Sequence, residues 1–177
     1  MLTWIRDGKG SSITLFLISI LVLFLSFLMV FINDISNEEL VRILNLLETD
    51  GIKAYAVFGL IGLMFLAALV AQMFFVSFFL HLVSKVIFRI PMEFDKFYKV
   101  IKIFYIFIGL GICWQLINVV SNSMIMSIIF NPFIILGFIA MYLLILFFTN
   151  VSRIKPFLFT TFLYGSYLIF TTITLGG

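Results

Sequence analysis

The stretch ITLFLISILVLFLSFLMVFI, residues 13–32, contains no charged side chain, and Thr14, Ser19 and Ser26 are its only polar positions. A hydrocarbon core about 30 Å thick needs ~20 mainly apolar residues to be crossed as a helix, so this stretch reads as a membrane span. Arg6 and Lys9 precede it and Asn33-Asp34 close it. Basic residues ahead of an apolar run also introduce secretory signals. The run here outlasts the ~7–15 residues of a signal core and ends without a small-residue cleavage pattern. It is therefore expected to be retained as a first span.

Working outward, four more apolar runs occupy residues 54–84, 103–121, 125–149 and 157–175. The expected fold is all-α: a polytopic transmembrane helix bundle of five spans, with short amphipathic interfacial helices, in a single membrane domain over 1–177. The last run is the least apolar, because it carries Thr160, Thr161, Thr171, Thr172 and Thr174. Four spans is the alternative count. The second run is too long for a perpendicular crossing and is expected to tilt or protrude. Ser121–Met124 is expected to make a tight hairpin between the third and fourth runs. Composition agrees with a bundle in lipid: 64% of residues are hydrophobic and 11% charged, against ~25% charged in soluble domains. The net charge of +3 does not imply a nucleic-acid partner.

Charge placement gives an orientation. Arg6 and Lys9 lie before the first run, Lys85, Arg89, Lys96, Lys99 and Lys102 between the second and third, and Arg153 and Lys155 before the last. The first connection instead holds Arg42 and Lys53 among Asp34, Glu38, Glu39, Glu48 and Asp50. Cytoplasmic loops carry the excess of Lys and Arg, so the N-terminus is expected in the cytoplasm, with the protein multi-pass in a bacterial cytoplasmic (inner) membrane.

Two connections carry helical patterns. In the first, Ser36 and Glu39 have the spacing of a capping box, and Leu40, Ile43, Leu44 and Leu47 repeat at helical intervals. A short amphipathic helix is expected there, lying in the interface or folding back over the bundle. In the second, Pro91 suits a first helical position. Phe94, Phe97, Tyr98 and Ile101 fall on one face, with Lys96, Lys99 and Lys102 toward the other. Phe94, Lys96, Phe97, Tyr98, Lys99 and Lys102 are the expected docking surface, either for a soluble cytoplasmic partner or for anionic lipid, which attracts basic segments at about 1 kcal/mol per charge.

No run places Asp, Glu, Lys or Arg near its centre, which argues against ion-coupled transport and proton relays. His81 is the sole histidine and Cys113 the sole cysteine. His81 is expected as an interfacial or interhelical polar residue, with pH sensing as its functional alternative. Neither can assemble a histidine or cysteine metal cluster, HExxH is absent, and no catalytic, cofactor or metal residues are expected. Gln72, Gln115 and Asn118, followed by Asn122, are candidate interhelical polar contacts, because amides in lipid usually bond across helices. Gly59, Gly62, Ala67, Ala68 and Ala71 add small residues to the second run.

The segment Phe78-Phe79-Leu80-His81-Leu82-Val83-Ser84-Lys85, a polar turn and Phe94-Asp95-Lys96-Phe97-Tyr98-Lys99-Val100 resembles the Yip-type membrane family, the Ypt-interacting proteins and their bacterial relatives. The five-span count is also similar. The acidic Asp-Leu-Tyr-Gly-Pro motif of the eukaryotic members is absent. The resemblance implies a non-enzymatic membrane adaptor, associated in bacteria with transporter or stress modules. The expected function is thus an integral membrane subunit or adaptor of a larger assembly, homo-oligomeric or complexed with a soluble cytoplasmic protein. The alternatives are a membrane-sensing component of a phage-defence, toxin-immunity or stress system, and a small transporter or channel.

Overall fold

The computed structural model describes residues 9–118 and 130–176. Among these the chain is helical with no strand: α1 (Lys9–Asp34), α2 (Asn37–Asp50), α3 (Ile52–Val86), α4 (Phe94–Asn118), α5 (Pro132–Phe148) and α6 (Ile154–Gly176). Four of these, α1, α3, α4 and α6, are long and apolar enough to cross a membrane. α5 is highly apolar but has 17 residues, the lower end of the ~17–25 that span a bilayer.

α5 is shorter than the run 125–149 suggests because Asn131 starts it. The Asn131 backbone is extended, and Oδ1 accepts from the Phe133 and Ile134 amides at 3.1 and 3.3 Å. Pro132, which has no amide hydrogen, occupies the first helical position. Residues 125–129 and the expected Ser121–Met124 hairpin lie outside the described residues, as does Asn122.

A second difference concerns the basic connection. The expected amphipathic segment and third span form one unbroken helix, α4, so the aromatic face of Phe94, Phe97, Tyr98 and Ile101 continues into the bundle. Pro91 does not start it. Met92 N donates to Ile90 O at 2.9 Å and Ile90 N to Ser84 O at 3.0 Å, and Arg89 adopts φ 52°. This tight turn delays the helix until Phe94.

α4 is the central helix. α1 packs along it in parallel, with α5 antiparallel on another side. The closest approaches lie at glycines. A Cβ on Gly109 would meet Val22 Cγ1 at 2.7 Å, and one on Gly137 would meet Phe107 Cβ at 2.9 Å. Ser26 Oγ donates to Gly109 O at 2.9 Å, and Asn131 Nδ2 to Gly111 O at 2.8 Å. Small residues let backbones approach in lipid, where packing and interhelical hydrogen bonds replace the hydrophobic effect. The core gathers Leu23, Met73, Phe97, Ile101, Met141 and Phe159, among others, from five helices. α3 meets it along one stripe: Leu69, Met73, Ser77, His81 and Ser84.

α2 carries the expected capping box. Glu39 N donates to Ser36 Oγ, and Ser36 N donates to Glu39 Oε2 at 3.0 Å. Its apolar face is only partly covered: Ile43 and Leu47 are half-buried, while Leu40 and Leu44 stay exposed. The Thr hydroxyls of α6 bond back along their own helix, Thr160 to Pro156 O and Thr171 to Tyr167 O, which makes this helix compatible with an apolar surrounding.

Candidate functional site

Two regions bring polar side chains together. The first is the basic end of the bundle, where the α3–α4 turn meets α1 and α6. His81 Nε2–H donates to Met92 O at 2.9 Å, fixing its tautomer, and its ring packs against Phe94 and Phe97. Phe94 stacks on Tyr98 and meets Phe74 and Phe78 edge-on. Lys102 Nζ donates to Ser12 O at 3.0 Å and Ser12 Oγ at 2.8 Å, and lies 4.1 Å from the Tyr98 ring centroid. Lys99 lies 3.7 Å from Asp95, and Lys96 pairs with Glu93 at 2.9 Å.

This geometry corrects the docking surface read from the sequence. Phe97 is 0% exposed, Lys99 4% and Lys102 3%. All three belong to the bundle interior, because α4 runs straight into the core instead of lying flat as a separate helix. Phe94 and Tyr98 are half-buried against α3. Lys96 remains accessible, beside exposed Lys85, Val86, Ile87, Arg89, Pro91, Glu93 and Asp95. Lys102 acts as a tie between α4 and the first turns of α1, with its stem along Phe16 and Tyr98.

The second region is a cavity of about 420 Å³ between α4, α5 and α6. Phe104, Ile108 and Ile112 form its α4 wall, with Phe138 and Leu163 opposite. Toward the other end of the bundle Gln115, Tyr167 and Thr171 converge on it, and the Tyr167 hydroxyl interacts with both other side chains. α6 touches the bundle near the basic end through Phe159, against Phe97 and Phe88. It returns to α4 at Gln115, and the cavity lies between these two contacts.

The candidate interhelical amides separate. Gln115 bridges α4 to α6. Gln72 meets no helix among the described residues: it is exposed, one residue and so about 100° around the helix from buried Met73. The Asn118 side chain lies outside the described residues. Contacts that the sequence reading missed are Asn131, Ser26 and Lys102. Asn131-Pro132 carried a legible signal, the preferred N-cap ahead of a proline at the first helical position. Ser26 had none beyond its place in an apolar run.

Among the described residues, no group of three or more His, Cys, Asp or Glu could hold a metal ion. Cys113 Sγ lies 3.4 Å from Ser26 Oγ and 3.7 Å from Met29 Sδ, a packed thiol between α1 and α4. No family model, curated protein or solved structure matches the chain.

Proposed function

We propose that this multi-pass membrane protein is a non-enzymatic subunit of a larger membrane assembly, joined to it through α3. The observation that supports this is Gln72. It sits near the middle of a 35-residue apolar helix, faces outward, and its amide bonds to no described residue. An amide left in hydrocarbon without a partner costs several kcal/mol. Ala68 stands one turn away on the same face and is also exposed, as is Ile61 three turns away. From Ile52 to Ala68 no position of α3 is buried, and a Cβ on Gly59 or Gly62 would meet nothing within 4 Å. A second helix seated on the Gln72 face satisfies the amide.

In this reading the assembly sits in a bacterial inner membrane with the basic end in the cytoplasm. A soluble partner docks on the accessible α3–α4 turn, around Val86, Ile87, Arg89 and Lys96, and not on the aromatic face of α4. The relation to the Yip-type adaptors belongs to this same proposal. The test is association in nanodiscs and native membranes, read by cysteine cross-linking at Ile61, on the Gln72 face, in a Cys113→Ser background. Gln72→Leu is expected to weaken association, by about 0.6 and at most ~2 kcal/mol, and Gln72→Asn to retain most of it. A chain that stays monomeric and captures no membrane partner overturns the reading.

A further inference from the structure

We infer that the cavity between α4, α5 and α6 is a binding site for a neutral membrane amphiphile, with its chain along Phe104, Ile108 and Phe138 and its uncharged hydrogen-bonding head at Gln115, Tyr167 and Thr171. Four observations carry this. First, the polar groups are confined to one end of the cavity, and the remainder of the lining is apolar. A ligand that matches it must itself be divided into an apolar length and a polar end. Second, among the described residues no charged side chain lines the cavity, so a charged head would be buried without a counter-charge, which is costly.

Third, the nearby start of α5 cannot supply the missing positive charge. Helix starts commonly hold anions through free amides. Here Asn131 Oδ1 takes the Phe133 and Ile134 amides, and Asn131 O takes that of Ile135. The cap closes the site to anions and leaves hydrogen bonding as the means of recognition. Fourth, the amide of Gln115 and the hydroxyl of Tyr167 have more donor and acceptor positions than their mutual contact uses. The volume of about 420 Å³ lies within the ~300–1,000 Å³ of small-molecule sites. Because α4 and α6 are both membrane-crossing in length and composition, the ligand enters from the bilayer. A monoacylglycerol or a long-chain alcohol has the required chemistry, whereas a phospholipid or a free fatty acid carries a charge.

The experiment uses the full chain in nanodiscs with a photoactivatable monoacylglycerol bearing a diazirine midway along its acyl chain. A matched lysophosphatidic acid, with the same chain and a phosphate head, is run in parallel. Labelled positions are mapped by mass spectrometry. The neutral probe is expected to mark Ile108 and Leu163 above the exposed Leu158 and Leu143, and unlabelled monoacylglycerol should displace it. The phosphate probe should mark the cavity less. Tyr167→Phe combined with Gln115→Leu should lower cavity labelling roughly two- to tenfold and leave Leu158 unchanged. Competition on the unaltered chain keeps the test independent of whether the double variant folds. Equal labelling of cavity and exposed positions, failure of competition, or equal marking by the phosphate probe overturns the assignment.

Discussion

At the scale of single residues, the bundle depends on positions where helix backbones nearly touch. Gly109 is the sharpest case. A methyl group there would lie 2.7 Å from Val22 Cγ1, 3.0 Å from Ser26 Oγ and 3.3 Å from the Val22 backbone. A backbone neighbour cannot swing away, so Gly109→Ala should push α1 off α4 and cost about 1–3 kcal/mol. Gly59→Ala, into open space, should leave thermal unfolding in detergent unchanged within ~0.5 kcal/mol. Asn131→Ala removes both the helix cap and the bond to Gly111. A lost cap typically costs ~1 kcal/mol, and the bridge adds to it. A melting shift no larger than that of Gly59→Ala would show that the Asn131 contacts carry little of the stability. Hydropathy could not single these residues out, because a glycine at a helix contact and one facing lipid look alike in sequence. The same ambiguity placed Gln72 inside: an apolar helix with no polar face does not announce which side meets its neighbours.

Among the elements, α2 and α4 mark the two extremes of legibility. The capping box of α2 was readable because it is local: Ser36 and Glu39 satisfy each other three residues apart. The aromatic face of α4 was equally readable, yet its environment was not, because a stripe of Phe and Tyr fits a membrane surface and a helical core alike. α2 also has a pH dependence. The bonds from the Ser36 backbone and hydroxyl hold the Glu39 carboxyl below its ordinary value. A carboxylate lowered in the folded state stabilises above its unfolded pKa and loses that contribution as pH falls through the lowered value. The start of α2 should therefore fray below about pH 4, seen as faster hydrogen exchange at Glu38–Val41. Glu39→Gln should fray to the same degree at every pH, and fraying in that variant that still follows pH would assign the effect to another group.

Across the whole molecule, the charges sort by end. Lys85, Arg89, Lys96, Arg153 and Lys155 gather where α3, α4 and α6 meet, with Lys155 Nζ reaching the Arg89 carbonyl at 3.4 Å. The acidic residues Glu38, Glu39 and Glu48 line α2 at the other end. In a membrane whose cytoplasmic loops hold the excess Lys and Arg, this chain is expected to lie with the α3–α4 turn inside. A cysteine placed at Asn37 should then react with an impermeant reagent in intact cells, and one placed at Lys96 only after the membrane is opened. Reaction of both from outside refutes that orientation. The central place of α4 has a consequence for biosynthesis. α1 and α3 bind chiefly to α4 and little to each other, so the first two long helices leave the ribosome before the helix that joins them exists. Translation from Asp34 to Asn118 takes roughly 4–17 s at ordinary elongation rates. For that interval Ser26 has no interhelical acceptor, and its hydroxyl can turn only to Val22 O, one turn back on its own helix. The nascent chain thus waits in lipid as loosely joined spans; α1 and α3 close onto α4 when it arrives, and α5 and α6 complete the core after it.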